Sequence, residues 1–167
     1  GMGSWSQFYA TIGTASAALL GLLFVAVSVN AESALGKDPM SRRLAEQAFH
    51  NYLTVMMVSL VGLFPGIQAS TFGLVTLLAT ASWSVWVVIR FYQTVTQSRE
   101  FGASTYAFRR HLASLAGFAM LLVSALLMAI KRDDAFNWIA ASTLVLLFSA
   151  TTVSWELLRR LSDRHPR

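Results

Sequence analysis

The strongest constraint on this chain is a stretch that contains no charge. Residues 8–29 hold twenty-two consecutive positions without Asp, Glu, Lys, Arg or His. A bilayer's hydrocarbon core of roughly 30 Å is crossed by about 20 apolar residues in a helix. Four further stretches follow the same outline: 45–64, 71–91 with Arg90 in its last turn, 111–130, and 136–157 with Glu156 near its end. None alternates apolar and polar residues with period two, so a β-barrel is not expected. The expected fold is all-α, a single transmembrane domain over 1–167 built from five spanning helices.

The breaks between stretches carry their own signals. Asp38-Pro39 reads as an N-cap followed by a first-turn proline. The second helix is therefore predicted to begin near Pro39, two turns ahead of its apolar part. Pro65-Gly66 ends it, and Ser70 is the predicted cap of the third. The short connection predicts an antiparallel hairpin. Asp134 is the predicted cap of the fifth helix, and the polar stretch from Gln93 to Arg110 is predicted to extend helices three and four beyond the membrane. Gly1-Met2-Gly3-Ser4 reads as an added leader around Met2, and no cleavable signal peptide is expected.

Composition narrows the class. The 167 residues suit one domain. They are 55% hydrophobic and 13% charged, against roughly 25% charged in soluble domains. Mean hydropathy is +0.55. Such a chain in water would expose too much apolar surface, which excludes a soluble globular domain and a disordered one. The net charge of +5 does not point to nucleic acid, because the basic residues form no stripe. With no cysteine, disulfides, thiolate metal sites and cysteine nucleophiles are excluded.

Charge distribution orients the spans. One set of loops and helix ends holds eleven basic residues, among them Lys37, Arg42, Arg43, Arg109, Arg110, Arg159 and Arg160; the other holds Lys131 and Arg132. Basic residues accumulate on the cytoplasmic side, so the N-terminus is expected outside and the C-terminus in the cytoplasm of a cell inner membrane. Most of the five tryptophans fall near predicted span ends, where interfacial aromatics sit.

Two kinds of residue stand out within the spans. Gly13, Ala17 and Gly21 repeat at four-residue spacing on the first helix. Small residues so spaced let helix backbones approach closely in lipid, either between copies of the chain or within one. Thr76, Thr80 and Ser84 place a hydroxyl stripe on the third helix; Thr11, Thr14, Ser28 and Asn30 place polar groups at the ends of the first. These seven are the candidate lining of a hydrated path. The competing reading is that such hydroxyls bond their own backbone one turn back. Ser142, Ser149, Thr152 and Glu156 mark one face of the fifth helix.

Ionisable groups in lipid are costly and worth explaining individually. Glu46, His50, Arg90, His111 and Glu156 all fall near the predicted cytoplasmic ends. Glu46, His50 and Thr54 share one face, and Arg90 is expected to pair with Glu46 or Glu156. The cluster reads as an ion vestibule, a proton relay or a pH-sensing gate, or else as ordinary helix-end ion pairs. Phosphate-binding loops, paired-histidine zinc motifs and serine triads are absent. An enzyme is not expected, and no cofactor is expected; two histidines, His50 and His111, are slender support for a haem.

The first helix reads Phe8-Tyr9-Ala10-Thr11-Ile12-Gly13, then Ala17-Ala18-Leu19-Leu20-Gly21-Leu22-Leu23-Phe24-Val25-Ala26-Val27-Ser28-Val29-Asn30. This resembles the opening of small, largely uncharacterised bacterial inner-membrane proteins of four or five spans. The resemblance covers about 25 residues and implies a bacterial origin but no specific activity. The functional expectation is an oligomeric ion channel or pore, with an ion as ligand, a homo-oligomer as its assembly and anionic lipid at its cytoplasmic end. The alternative is a scaffold or accessory subunit of a larger membrane complex.

Overall fold

The computed structural model describes residues 5–30, 38–98, 105–130 and 135–162, and among these the side chains of 82, 83, 86–88, 90–98 and 105–113 lie outside the description. The described residues form five α-helices and no strand: α1 (Ser6–Val29), α2 (Pro39–Gly62), α3 (Ala69–Ser98), α4 (Thr105–Ala129) and α5 (Ala135–Ser162). Each predicted span centres on one helix. The polar connection after the third span is helical up to Ser98 and again from Thr105, as predicted.

Among the described residues two of the five helices, α1 and α5, are long and apolar enough to cross a membrane. The apolar parts of α3 and α4, Ala69–Ala81 and Ser114–Ala129, are shorter. In α2 the first turns carry Arg42, Arg43, Glu46, Gln47, His50 and Asn51, which dilute the apolar character of the helix.

The start of α2 is built as its sequence predicts. The Met40 N–H donates to Asp38 Oδ1 at 3.2 Å, the Ser41 hydroxyl donates to Oδ2 at 2.6 Å, and Pro39 fills the first turn. At the far end the Leu63 N–H donates back to the Ser59 carbonyl at 3.0 Å. Pro65 cannot continue the helix, and Gly66 sits at φ 73°, in the left-handed region that favours glycine. The predicted cap at Ser70 is corrected: α3 starts one residue earlier, at Ala69, and the Phe72 N–H already donates to the Gln68 carbonyl at 2.9 Å. Ser70 lies inside the first turn. Asp134 lies outside the described residues.

The chain divides into two compact units. The first contains α1, α2 and residues 147–162 of α5; the second contains α3, α4 and residues 135–146 of α5.

In the first unit α1 and α2 run antiparallel with matched residues along the seam. The Tyr9 ring covers Gly62, where a Cβ would stand 3.0 Å from ring carbons. Gly13 lies on Ser59, whose Cβ would be 2.9 Å from a Cβ added there. The Ser16 hydroxyl donates to the Tyr52 carbonyl at 2.7 Å. Further along, Leu23 joins Leu44, Ala45, Ala48, Tyr52, Ala150, Val153, Leu157 and Leu161 in one apolar cluster.

The second unit repeats the device. A Cβ at Gly73 would lie 2.7 Å from the Ala129 nitrogen and 2.9 Å from the Ala125 carbonyl oxygen, so the α3 and α4 backbones touch there. Gly117 of α4 lies under Leu146 of α5, with a Cβ–Cδ2 distance of 2.8 Å for an added Cβ.

These glycines differ sharply in tolerance. Gly73→Val forces two backbones apart and should destabilise the protein by about 1–3 kcal/mol, as overpacked cores do. Gly21 has nothing within 4 Å of an added Cβ in its own chain, so Gly21→Val should leave the unfolding midpoint of the protein dispersed to monomers in detergent nearly unchanged. Thermal melts of the two variants beside the wild type test this; equal losses would refute the packing assignment.

Candidate functional site

The polar residues of the helices sort into three groups. The first group is spent on local backbone bonds. The Thr11 hydroxyl donates to Gln7 O at 2.8 Å, Ser84 to Thr80 O at 2.7 Å, Thr54 to His50 O at 2.9 Å, Ser142 to Trp138 O at 2.7 Å and Thr152 to Ser149 O at 2.8 Å. The Asn30 amide donates to Ala26 O at 2.9 Å. In lipid such bonds hide a hydroxyl from an apolar solvent at little structural cost. On the fifth helix Ser142 and Ser149 are buried, Thr152 is exposed and Glu156 is half-buried.

The second group consists of the ionisable residues. Arg42 Nε donates to Glu46 Oε1 at 3.2 Å, and Arg160 Nε to Glu156 Oε1 at 2.9 Å. The expected pairing of Arg90 with Glu46 or Glu156 falls on a side chain outside the described residues. Each of these carboxylates takes an arginine one turn away on its own helix. The reason is proximity, since residues four apart on a helix are already neighbours. The side chains of Arg90 and His111 lie outside the described residues. His50 is half-buried with its ring 5.9 Å from that of Phe49. Among the described residues no three His, Asp or Glu side chains converge to hold a metal.

The third group is a seam between α2 and α5 inside the first unit. The Asn51 amide donates to the Ser149 hydroxyl at 3.4 Å; both residues are buried. The Tyr52 hydroxyl donates to Thr151 Oγ1 and accepts from the Ser154 hydroxyl, each at 3.4 Å. These long bonds join two helices that also share the apolar cluster around Leu44, Val153 and Leu157. Sequence inspection singled out Ser149 but passed over Asn51 and Tyr52. The available signal was Asn51 itself, a strong hydrogen-bonding side chain in the interior of α2, which needs a partner when buried.

The candidate lining residues separate cleanly. Thr11, Thr14 and Ser28 of α1 are exposed, and Asn30 is partly so. Thr76 and Thr80 of α3 are each only 2% exposed, while Ser84 is partly buried. The predicted packing stripe on α1 splits as well. Gly13 packs against α2, whereas Ala17 and Gly21 are exposed. The face that α2 covers runs through Tyr9, Gly13, Ser16 and Leu23, and a 3.6-residue helix carries Ala17 and Gly21 off that line.

Truncating a buried bond between α1 and α2 and an exposed pair on α2 compares their strengths. Ser16→Ala removes a short, buried bond and should cost about 1 kcal/mol. Arg42→Gln breaks an exposed pair and should cost about 0.5 kcal/mol or less. Denaturation in mixed micelles should rank them in that order. No family model matches this chain, and no curated protein or solved structure matches it significantly, so its function is read from these residues alone.

Proposed function

We propose that this chain is a multi-pass protein of the cell inner membrane, with five spans, an outer N-terminus and a cytoplasmic C-terminus, and that it serves as one subunit of a homo-oligomeric ion-conducting pore. Membrane embedding is supported by the large apolar side chains on the outside of both units. Leu22, Phe24, Val29, Leu78, Val123, Phe148 and Trp155 all stand more than half exposed. In water that surface would aggregate; in lipid it is matched.

The observation that carries the oligomer is the uncovered face of α1. Ala10, Thr14, Ala17, Gly21, Phe24 and Ser28 are all exposed. Their spacing alternates four and three, the heptad repeat along which helices supercoil. Small residues dominate the row, and in lipid such rows let helices come together at short range. One 18.3 kDa chain encloses little space, whereas a symmetry axis between copies supplies a path. Thr14 and Ser28 would face that axis, with Thr11 beside them. The apolar Leu19 to Val27 between them would gate by dewetting. Thr76 and Thr80, being buried, are not offered as lining. The exposed Arg42, Arg43 and Arg159 fit contact with anionic lipid at the cytoplasmic surface.

The breadth of the uncovered face favours a second reading. Leu22, Val25 and Val29 flank the small-residue row and are also exposed, which suits a larger, different partner. In that case the chain is an accessory subunit.

The cysteine-free sequence allows a clean test. Gly21→Cys in native membranes should form disulfide-linked dimers on mild oxidation, because close helices bring the Cα atoms within about 4.4–6.8 Å. Leu23→Cys, facing α2, should not. Wild-type protein in liposomes should pass ions, and a charged thiol reagent on Thr14→Cys should cut that flux severalfold. No dimer and no flux would overturn the pore; one stoichiometric protein co-purified from native membranes would establish the second reading.

A further inference from the structure

The second unit contains an anomaly that the pore does not use. Buried serines and threonines are numerous in this chain, and nearly all have an evident partner. Ser16 donates to Tyr52 O, Ser59 to Val55 O at 2.8 Å, Ser124 to Met120 O at 2.5 Å, Ser142 to Trp138 O and Thr143 to Ala140 O at 2.8 Å. Ser41 donates to Asp38, and Ser149 accepts from Asn51. Ser114 is likewise partnered. Among the described residues, Thr76 and Thr80 alone of the buried serines and threonines have hydroxyls that meet no partner.

The two exceptions are not scattered. They stand one helical turn apart on α3, on the line that continues from Gly73, where α3 meets α4. Side chains so placed have Cβ atoms about 5–6 Å apart. The two hydroxyls do not bond each other, and side chains at that separation can share one intervening oxygen bonded to both. A buried hydroxyl left unpaired costs about 1–3 kcal/mol, and two on one face double the reason for a shared ligand. Nor is either bonded to the carbonyl behind it, the escape that Ser84 takes with Thr80 O.

The surroundings add further oxygens. Gly73 touches Ala125 and Ala129. Consecutive antiparallel helices in that register bring Thr76 to the height of Ser124 and Thr80 to that of Met120. Ser124 Oγ lies 3.4 Å from Ser142 Oγ of α5. Both serines give their protons to their own helices, so their oxygens retain acceptor capacity. Hydroxyls from α3, α4 and α5 therefore share one layer of the unit.

We propose that Thr76 and Thr80 form a binding site for a single internal water molecule, bridging the two hydroxyls within this layer. The ligand has to donate and accept, carry no charge and be very small, because no ionised group is among these four hydroxyl residues and both threonines are enclosed. Buried waters typically make about three hydrogen bonds, and here two come from the threonines. The site is independent of whether α1 lines a pore.

The test is water-to-methyl magnetisation transfer in the full chain, with methyl-labelled threonine, in lipid nanodiscs. Transfer from water should reach the γ-methyl groups of Thr76 and Thr80. It should be absent at Thr143, which is equally buried but bonded to its own helix. Thr80→Val should weaken transfer to Thr76 severalfold, and Thr80→Ser should restore it. Transfer at neither threonine in the wild type overturns the proposal and requires no variant to fold. Transfer at Thr76 that Thr80→Val leaves unchanged overturns the bridge.

Discussion

The described structure depends on helix backbones meeting where a side chain is missing. Within a bilayer, lipid tails solvate a leucine as well as another helix does, so apolar area alone does not hold helices together. Close contact does. Gly62 admits the Tyr9 ring and Gly13 admits Ser59 in the first unit; Gly73 admits the backbone of α4 in the second. At each point dispersion contacts accumulate over short distances, and the hydrogen bonds of neighbouring residues, such as Ser16 to the Tyr52 carbonyl, lie close enough to form. The apolar cluster around Leu44, Val153 and Leu157 fills in around contacts whose spacing the glycines have set.

The same constraint explains why α1 is lopsided. Its covered side takes what α2 offers, through Tyr9, Gly13, Ser16 and Leu23. Its other side presents alanines, a glycine, threonine and serine outward. A helix meant only for lipid gains nothing from small residues there, since leucine or valine serves as well and favours neither association nor kinking. The row of small residues is therefore the feature of the exterior with the most specific physical meaning, and the reading of the chain as an oligomer rests on it.

The helices were legible in the sequence because hydrophobic length and breaker residues are local signals. Asp38, Pro39 and Pro65-Gly66 act within a turn of where they stand. Orientation rests on a count of charges that the protein in isolation does not test. The rotation of each helix about its axis was not legible. It decides that Gly13 packs while Ala17 and Gly21 do not, and that Thr76 is enclosed while Thr14 is open. Four-residue spacing suggested a stripe, but 3.6 residues per turn moves a stripe round the helix, and only the partner surface decides which part is used. Glu46 and Glu156 show a local signal that the search for longer-range partners passed over. Each pairs with an arginine four residues away on its own helix, a local neighbour that spacing alone offers. Asn51 was legible in principle, since a buried amide always needs an answer.

The shared use of α5 has a consequence for the order in which the protein is made. The first unit is closed by residues 147–162, yet α3 and α4 lie between α2 and those residues in the chain. A ribosome delivers α1 and α2 early, and they can pair at once through Tyr9 and Gly62. Leu23, Leu44 and Tyr52 then wait for Val153, Leu157 and Leu161, which emerge roughly ninety residues after α2 ends. Until then Asn51 and Tyr52 lack the α5 hydroxyls they meet in the finished unit. The first unit is therefore completed only after the helices of the second have been made, so its closing segment is the last part of the described chain to arrive.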